Sequence, residues 1–118
     1  MKDLKPALLE ALSHLPACTA ISFAQQEMEL PIVVIGDETS RSYARAEGHD
    51  YLEEYIFQAD VYAASPEERE ALSAAVDAAF GSMGLKRLGA QDGYDHTAYA
   101  YRKHMRYRAL LRGDWIYQ

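Results

Sequence analysis

Two long segments of alternating polar and apolar residues constrain the fold of this 118-residue chain more than any other feature. They are Asp50–Ala63 and residues 97–111, and alternation of this kind predicts β-strands with one buried face. Fifteen residues of strand extend about 50 Å, whereas a compact domain of this length has a diameter of about 35 Å. We therefore expect the two strands to be bent or bulged, or to project beyond the core as a pair that needs a partner.

The N-terminal part of the chain predicts one helix and two short strands. Apolar residues at helical spacing within residues 2–15 indicate an amphipathic helix, which Pro16 stops. The apolar runs 20–24 and 32–35 are typical of strands, and the second is apolar on both faces, as a buried strand is. Residues 37–49 lack apolar periodicity and predict a long polar loop.

A second helix is predicted after the first long strand. Ser65 is placed to act as the N-cap, Pro66 occupies the first helical position, and Glu68 completes a capping box. Gly81 and Gly84 are expected to end this helix. A short strand over 85–88 and a turn over 91–93 then lead to the last long strand. This element order predicts a single α+β domain over residues 1–118, with an antiparallel or mixed sheet of four to five strands and two main helices on one face.

Charge and composition exclude several classes of protein. The net charge of −6 disfavours long-range attraction to nucleic acid or to anionic lipid. The single cysteine, Cys18, excludes an internal disulfide framework. Neither a signal peptide nor a run of about 20 apolar residues is recognisable, so we expect folding in a cytoplasm.

The residues that usually carry chemistry are scattered. The four histidines fall on different predicted elements without metal-ligand spacing, and Cys18 has no motif around it. The candidate carboxylates lie in predicted turns or on polar strand faces, where solvated structural roles are favoured; they are Glu53, Glu54, Asp60, Asp92 and Asp95. We therefore predict no catalytic residue, no metal and no cofactor.

The final strand has the most specific pattern in the sequence. Its even positions carry Arg102, His104, Arg106 and Arg108, whereas tyrosines dominate its odd positions. The basic row fits three interpretations: ion pairs with Glu54 and Asp60 across the sheet, a protein interface, or an RNA-binding sheet. In the third interpretation the bases would stack on tyrosines, namely Tyr99, Tyr101 and Tyr107.

The C-terminal tail is unusually apolar. Trp115, Ile116 and Tyr117 either fold back on the core of their own chain or dock on a neighbouring one. The residue pattern leaves both arrangements open.

In the order of its elements the chain resembles the tail terminator family of long-tailed bacteriophages, also called tail completion or tail-to-head joining proteins, of which the lambdoid minor tail protein U is an example. The resemblance covers nearly the whole chain, and it is carried by the segments KPALLEALSHL, ELPIVVIGDET, YLEEYIFQADVYA, SPEEREALSAAVDAAF and YRKHMRYRAL, with the polar stretch 37–49 between them. It rests on element order and apolar signatures.

The resemblance implies a virion assembly protein. Such a protein forms a ring, commonly a hexamer, that caps the tail tube, ends tube polymerisation and offers a surface to the head connector. The implied partners are further copies of the chain, the tail tube protein and a head-completion protein, with a monomer expected in dilute solution. The implied location is the host cytoplasm during assembly and the virion tail afterwards. The resemblance brings no catalytic residues.

The expected interface residues come from the pattern of exposure. They are Arg41, Arg45, Glu47, His49, Glu54, Asp60, Arg102, His104, Arg106, Arg108, Trp115 and Tyr117. The alternative function is a small cytosolic module that binds RNA or a small ligand through the final strand. An enzyme with an unrecognised site is the third possibility.

Overall fold

The computed structural model describes residues 4–15, 19–21, 29–46, 50–112 and 115–116. In chain order the elements are α1 (Lys5–Leu12), β1 (Thr19–Ile21), β2 (Ile32–Ala46), β3 (Asp50–Ala63), α2 (Pro66–Ser82), β4 (Lys86–Asp95), β5 (Ala100–Arg112) and β6 (Trp115–Ile116). The predicted α+β class is confirmed.

One mixed sheet contains every described strand. Its order is β1-β2-β3-β5-β4, and β6 pairs with β5. The four long strands are antiparallel to their neighbours, whereas β1 runs parallel to β2. Helix α2 follows β3 and leads to β4, which lies beyond β5.

The long strands make the molecule elongated. The Cα atoms span 50 × 24 × 21 Å. Strand β4 begins at Lys86. Lys86 pairs with Arg108 of β5, and Arg108 pairs with Ile56 of β3, so Lys86 and Ile56 lie at the same level of the sheet. Residues 50–55 of β3 lie beyond that level, which corresponds to about 20 Å of strand. Of the two expected alternatives for the long strands, projection is the one observed: the ladder between β3 and β5 has no register shift, whereas β2 carries two.

The predicted polar loop over residues 37–49 is wrong for residues 37–46, which continue β2 and pair with β3 as far as Ala46 and Asp50. Register shifts between Asp37 and Thr39 and between Ser42 and Ala44 break the two-residue period. Residues 37–46 therefore show no regular alternation of polar and apolar side chains, although their backbone pairs with β3 almost throughout. Residues 47–49 lie outside the described residues.

The predicted turn over residues 91–93 is also wrong. Strand β4 runs through it, and the turn lies at residues 96–99. Asp95 sets this turn, because its Oδ1 accepts hydrogen bonds from the N–H groups of Thr97 (2.8 Å) and Ala98 (3.0 Å). Strand β5 consequently begins at Ala100, and Tyr99 adopts a φ of 52°.

The short elements differ from prediction mainly at their ends. Helix α1 covers Lys5–Leu12, so it begins next to Pro6, which is tolerated in the first turn, and it ends before Pro16. Strand β1 covers Thr19–Ile21, whereas residues 22–24 of the predicted first strand lie outside the described residues.

The core lies between the two helices and one face of the sheet, which we call the helix face. Three rings form its centre: Phe57 stacks on Tyr107 at 5.5 Å between centroids, and Phe80 of α2 meets them edge-on at 5.4 and 4.9 Å. All three side chains are fully buried. This aromatic packing fixes α2 above β3 and β5.

Both ends of α2 are built as the sequence predicts. Ser65 Oγ accepts a hydrogen bond from the Glu68 N–H at 3.1 Å, and Glu68 Oε1 accepts one from the Ala64 N–H at 2.9 Å. At the other end Gly84 has a φ of 88°, and the Leu85 N–H reaches the Phe80 carbonyl at 3.2 Å. This is a Schellman ending, which glycine permits.

Removing the cap should weaken the fold measurably. We expect Ser65→Ala to lower the free energy of unfolding by about 1 kcal/mol, because the Glu68 N–H loses its acceptor. Urea denaturation gives this value. Ser82→Ala serves as the control, since its hydroxyl bonds only an exposed carbonyl in the last turn, and should change stability by less than about 0.5 kcal/mol. Equal effects of the two changes would contradict the role of the cap.

Tyr107 is the polar group at the base of the core. Its hydroxyl donates a hydrogen bond to Asp77 Oδ1 at 2.9 Å. Burial, and then the adjacent carboxylate of Asp77, raise the pKa of Tyr107 well above its ordinary value.

This raised pKa predicts a loss of stability in alkali. The neutral phenol is favoured in the folded state, so its contribution is complete below the unfolded pKa of about 10 and declines as pH rises toward the higher folded value. Unfolding free energies measured between neutral pH and pH 11 should fall more in the native chain than in Tyr107→Phe. Parallel curves for the two proteins would show that Tyr107 ionises equally in both states.

Candidate protein interface on the open face of the sheet

The sheet has a second face, turned away from both helices, which we call the open face. It carries the even-numbered residues of β3 and β5, because side chains alternate along a strand and the odd-numbered ones are buried under the helices. Most of these residues are partly exposed. Within the described ranges both helices contribute to the core on the opposite face.

Asp60 organises one end of the open face. Its Oδ1 accepts hydrogen bonds from Arg102 Nε at 3.0 Å and Nη2 at 2.8 Å, and it lies 2.7 Å from Nδ1 of His104. His104 is directly opposite Asp60 in the β3–β5 ladder, whereas Arg102 is diagonal to it. One carboxylate therefore holds two side chains of β5.

A second pair lies further along the same face. Arg108 Nε donates a hydrogen bond to Glu54 Oε2 at 2.7 Å. The Glu54 side chain is only 7% exposed, so the charge of Arg108 compensates a carboxylate that is removed from water. The predicted ion pairs across the sheet are thus confirmed for Asp60 with Arg102 and for Glu54 with Arg108, and His104 lies within hydrogen-bonding distance of Asp60.

The open face also has an apolar patch, formed by Ile32, Val34, Tyr62 and Ala100. The Arg102 guanidinium lies 5.9 Å from the centroid of the Tyr62 ring. Burial, and then the carboxylate of Asp60, raise the pKa of Tyr62. All four side chains are buried, and Leu30 and Ala98 pack against them, so this part of the open face is closed over a small apolar cluster.

A shallow depression of about 350 Å³ lies at the β4 side of this face. It is lined by Gln91, Asp92, Gly93, Arg102 and His104. Among the described residues no group of three or more histidine, cysteine or carboxylate side chains is placed to hold a metal ion. Arg102 and His104 are both held by Asp60, and Asp92 lies 3.5 Å from Lys103 Nζ. The charged groups around the depression are thus engaged in ion pairs, as structural groups are.

Sequence reasoning missed an aromatic cluster at the β4–β5 turn. Tyr94 meets His96 and Tyr101 edge-on, with centroids 4.9 and 5.1 Å apart. Tyr99 is 78% exposed and has a positive φ, a conformation that bulky side chains rarely adopt. The signal was the density of aromatic residues over 94–101, which the incorrectly placed turn concealed.

The structure gathers half of the predicted interface residues on one surface. Glu54, Asp60, Arg102, His104, Arg106 and Arg108 share the open face. Arg41 and Arg45 belong to the projecting part of β2, where their backbones pair with Glu54 and Tyr51 of β3.

The predicted interface residues near the C-terminus are partly placed. Trp115 lies in β6, whose backbone folds back on β5 opposite Arg112. Glu47, His49 and Tyr117 lie outside the described residues. The contacts of all twelve with other chains stay predictions.

Part of the tyrosine surface that the RNA interpretation requires for base stacking is buried. Tyr107 is 1% exposed and packed in the core, so it is closed to a base. Tyr99 is exposed, and Tyr101 contacts Tyr94. The arginines of β5 lie on the opposite face, where Arg102 and Arg108 are engaged by carboxylates.

Comparisons with known proteins give a match in structure only. No protein-family model and no curated protein matches the sequence. Among solved structures, a chain of the "Virion of native gene transfer agent (GTA) particle" superposes with a TM-score of 0.59 and 20% identity, covering 90% of this chain and 84% of that chain. The two chains share a fold. In the part of our chain that the structure describes, no helix has the length and hydrophobicity to cross a membrane.

The buried pair predicts a large effect of one arginine. We expect Arg108→Met to lower the free energy of unfolding by about 2 kcal/mol, because the buried Glu54 carboxylate loses a charged hydrogen-bond donor. The matched control is Arg87→Met, since Arg87 is 47% exposed and lies 3.8 Å from its partner Asp77; it should cost less than about 1 kcal/mol. Chemical denaturation compares the two, and similar small losses would show that the fold does not depend on the Glu54–Arg108 pair.

Proposed function

We propose that this chain is a structural protein of a phage or phage-derived virion, and specifically a tail terminator that forms a ring on the end of the tail tube. The observation that carries the proposal is the fold shared with a virion chain over 90% of the present chain. The element order that resembles the tail terminator family supports the more specific role.

The elongated shape fits a protein that is completed by its neighbours. The β2–β3 ladder continues about 20 Å past the end of β4, to the pair Ala46 and Asp50. Strands that project in this way present backbone edges and side chains that further subunits can cover.

The open face fits a role in assembly. In a closed ring two different patches of the same chain meet, and these must be complementary in charge. The partly exposed Arg102, at 39%, and the partly exposed His104, at 24%, share a single carboxylate, Asp60. Their remaining hydrogen-bonding capacity is available to a neighbouring subunit.

The proposed partners are further copies of the chain, the tail tube protein and a head-completion protein. The proposed state on the tube is a hexamer, whereas the chain in dilute solution is a monomer, because a ring that forms only on finished tubes needs weak contacts between its subunits. Assembly takes place in the host cytoplasm and leaves the protein in the virion tail.

The alternative of an RNA-binding module has less support. The tyrosines and arginines of β5 alternate between opposite faces, and Tyr107 is buried. A base stacked on one face would lie away from the arginines that should hold its phosphate.

The proposal is tested by capping tail tubes. The purified chain, added to tube protein from the same genome while it polymerises, should yield tubes with a ring at one end that grow no further, as seen by electron microscopy. Reversing two charges of the open face, in Arg102→Glu/Arg106→Glu, should abolish capping. Ala74→Glu/Ala78→Glu adds charge on the exposed side of α2 and should leave capping intact.

Tubes that continue to grow at the native length distribution, with no ring at saturating protein, would overturn the proposal. The circular dichroism spectrum of each variant checks that its fold is retained. Binding of single-stranded RNA that weakens steeply with salt would instead favour the alternative.

A further inference from the structure

Strand β4 is an outer strand of the sheet in the described part of the chain. Nine of its ten residues are exposed, and only Asp95 is partly covered. One side of its backbone pairs with β5. The other side presents the N–H and C=O groups of an edge strand, which readily pair with a strand of another chain.

Two glycines of β4 have room for a side chain, and one of them, Gly89, follows the register shift between Arg87 and Gly89. A Cβ atom at Gly89 or Gly93 would meet no other atom within 4 Å, and neither residue has a positive φ. Glycine within a strand costs about 0.5–1 kcal/mol relative to alanine. Glycine within a strand often marks a place where another backbone approaches closely. The two positions are opposite Arg106 and Arg102, hence on the open face.

The opposite edge of the sheet is formed by β2. Strand β1 pairs only with Ile32, Val33 and Val34. Within the described residues no strand pairs with the outer side of β2 over residues 35–46. Both edges of the four-stranded antiparallel unit are therefore available along part of their length.

Strand direction makes these two edges compatible. Four antiparallel strands are an even number, so β2 and β4 run in opposite directions within one copy. A second copy, related by a rotation that keeps all copies pointing the same way, places its β2 antiparallel to β4 of the first. The antiparallel arrangement of strands then continues across the junction between two copies. Two different edges of the chain meet there, as in a heterologous ring contact.

Charge supports the same junction. Arg87 pairs with Tyr107, Tyr107 with Phe57, and Phe57 with Asp37, so Arg87 and Asp37 lie at the same level on opposite edges. Lys86 and Arg87 therefore form a basic end of β4, level with the acidic stretch of Asp37 and Glu38 in β2. Arg87 is half-exposed, and its pair with Asp77 at 3.8 Å is long.

We propose that the outer edge of β4 in one copy pairs with the outer edge of β2 in the next, so that a single sheet continues around the ring. The inference rests on the proposed ring, and it assigns the contact between subunits to two specific strands. The occupant of the β4 edge is a second copy of this chain.

Cysteine cross-linking tests the pairing. In a Cys18→Ser background, the double variant Thr39→Cys/Lys86→Cys places one thiol on each edge of the sheet. The two positions are at the same level, because Lys86 pairs with Arg108, Arg108 with Ile56, and Ile56 with Thr39. A short bismaleimide added to the concentrated double variant, and to the double variant on tail tubes, should give a ladder of dimers, trimers and higher oligomers. Mixed single variants should give dimers only, and Ala74→Cys/Ala78→Cys on α2 should give no ladder.

A charge swap provides a second readout. Arg87→Asp should weaken self-association by about tenfold, because acidic groups then face each other at the junction. Adding Asp37→Arg should restore it. Gly89→Val should also weaken self-association without lowering the melting temperature of the monomer, whereas Ala90→Val, on the other face of β4, should have little effect. Sedimentation velocity over a range of concentrations measures all four variants.

The outcomes separate this inference from the proposed function. Capped tubes on which Thr39→Cys/Lys86→Cys gives no cross-linked ladder would overturn the pairing and leave the tail terminator role standing. A ladder in concentrated protein that does not cap tubes would support the pairing and overturn the role. Cross-linked dimers from Lys86→Cys alone would indicate a two-fold β4–β4 contact and would also overturn the pairing.

Discussion

The antiparallel ladder between β3 and β5 is the constraint on which the rest of the structure depends. It pairs residues from Leu52 and Arg112 to Ala63 and Tyr101 without interruption. On one side of the ladder Phe57 and Tyr107 stack and receive Phe80 of α2. On the other side the same register brings Asp60 to His104 and Arg102. A shift of one residue would exchange the two faces, burying the charges and exposing the rings.

This double use of one ladder explains how charged strand residues are accommodated although the described helices cover only one face of the sheet. Asp60 compensates Arg102 and Glu54 compensates Arg108, so these charges of the open face are satisfied without a covering layer. Such a face carries charges that are paired within its own chain. An apolar face of the same size would favour indiscriminate association.

Local chemistry made some elements predictable. The cap at Ser65, the ending at Gly84 and the alternation of β3 and β5 each depend on residues close in sequence, and the structure contains all of them. The polar half of β2 and the course of β4 were not predictable in this way. Their register shifts break the two-residue period, and polar residues with glycine resemble a turn until a neighbouring strand supplies the hydrogen bonds.

By itself, the sequence determined the fold class and the two strand faces of β5, because these follow from periodicity. It left the pairing of the basic row with acidic residues as one of three interpretations. Only the tertiary structure decided which carboxylate pairs with which basic side chain, where the sheet ends and which strands lie at its edges. Strand order and register are set by pairing between residues far apart in the chain, such as Glu54 and Arg108. No local pattern encodes that pairing, since the two residues are 54 positions apart in the sequence and meet only through the register of the sheet.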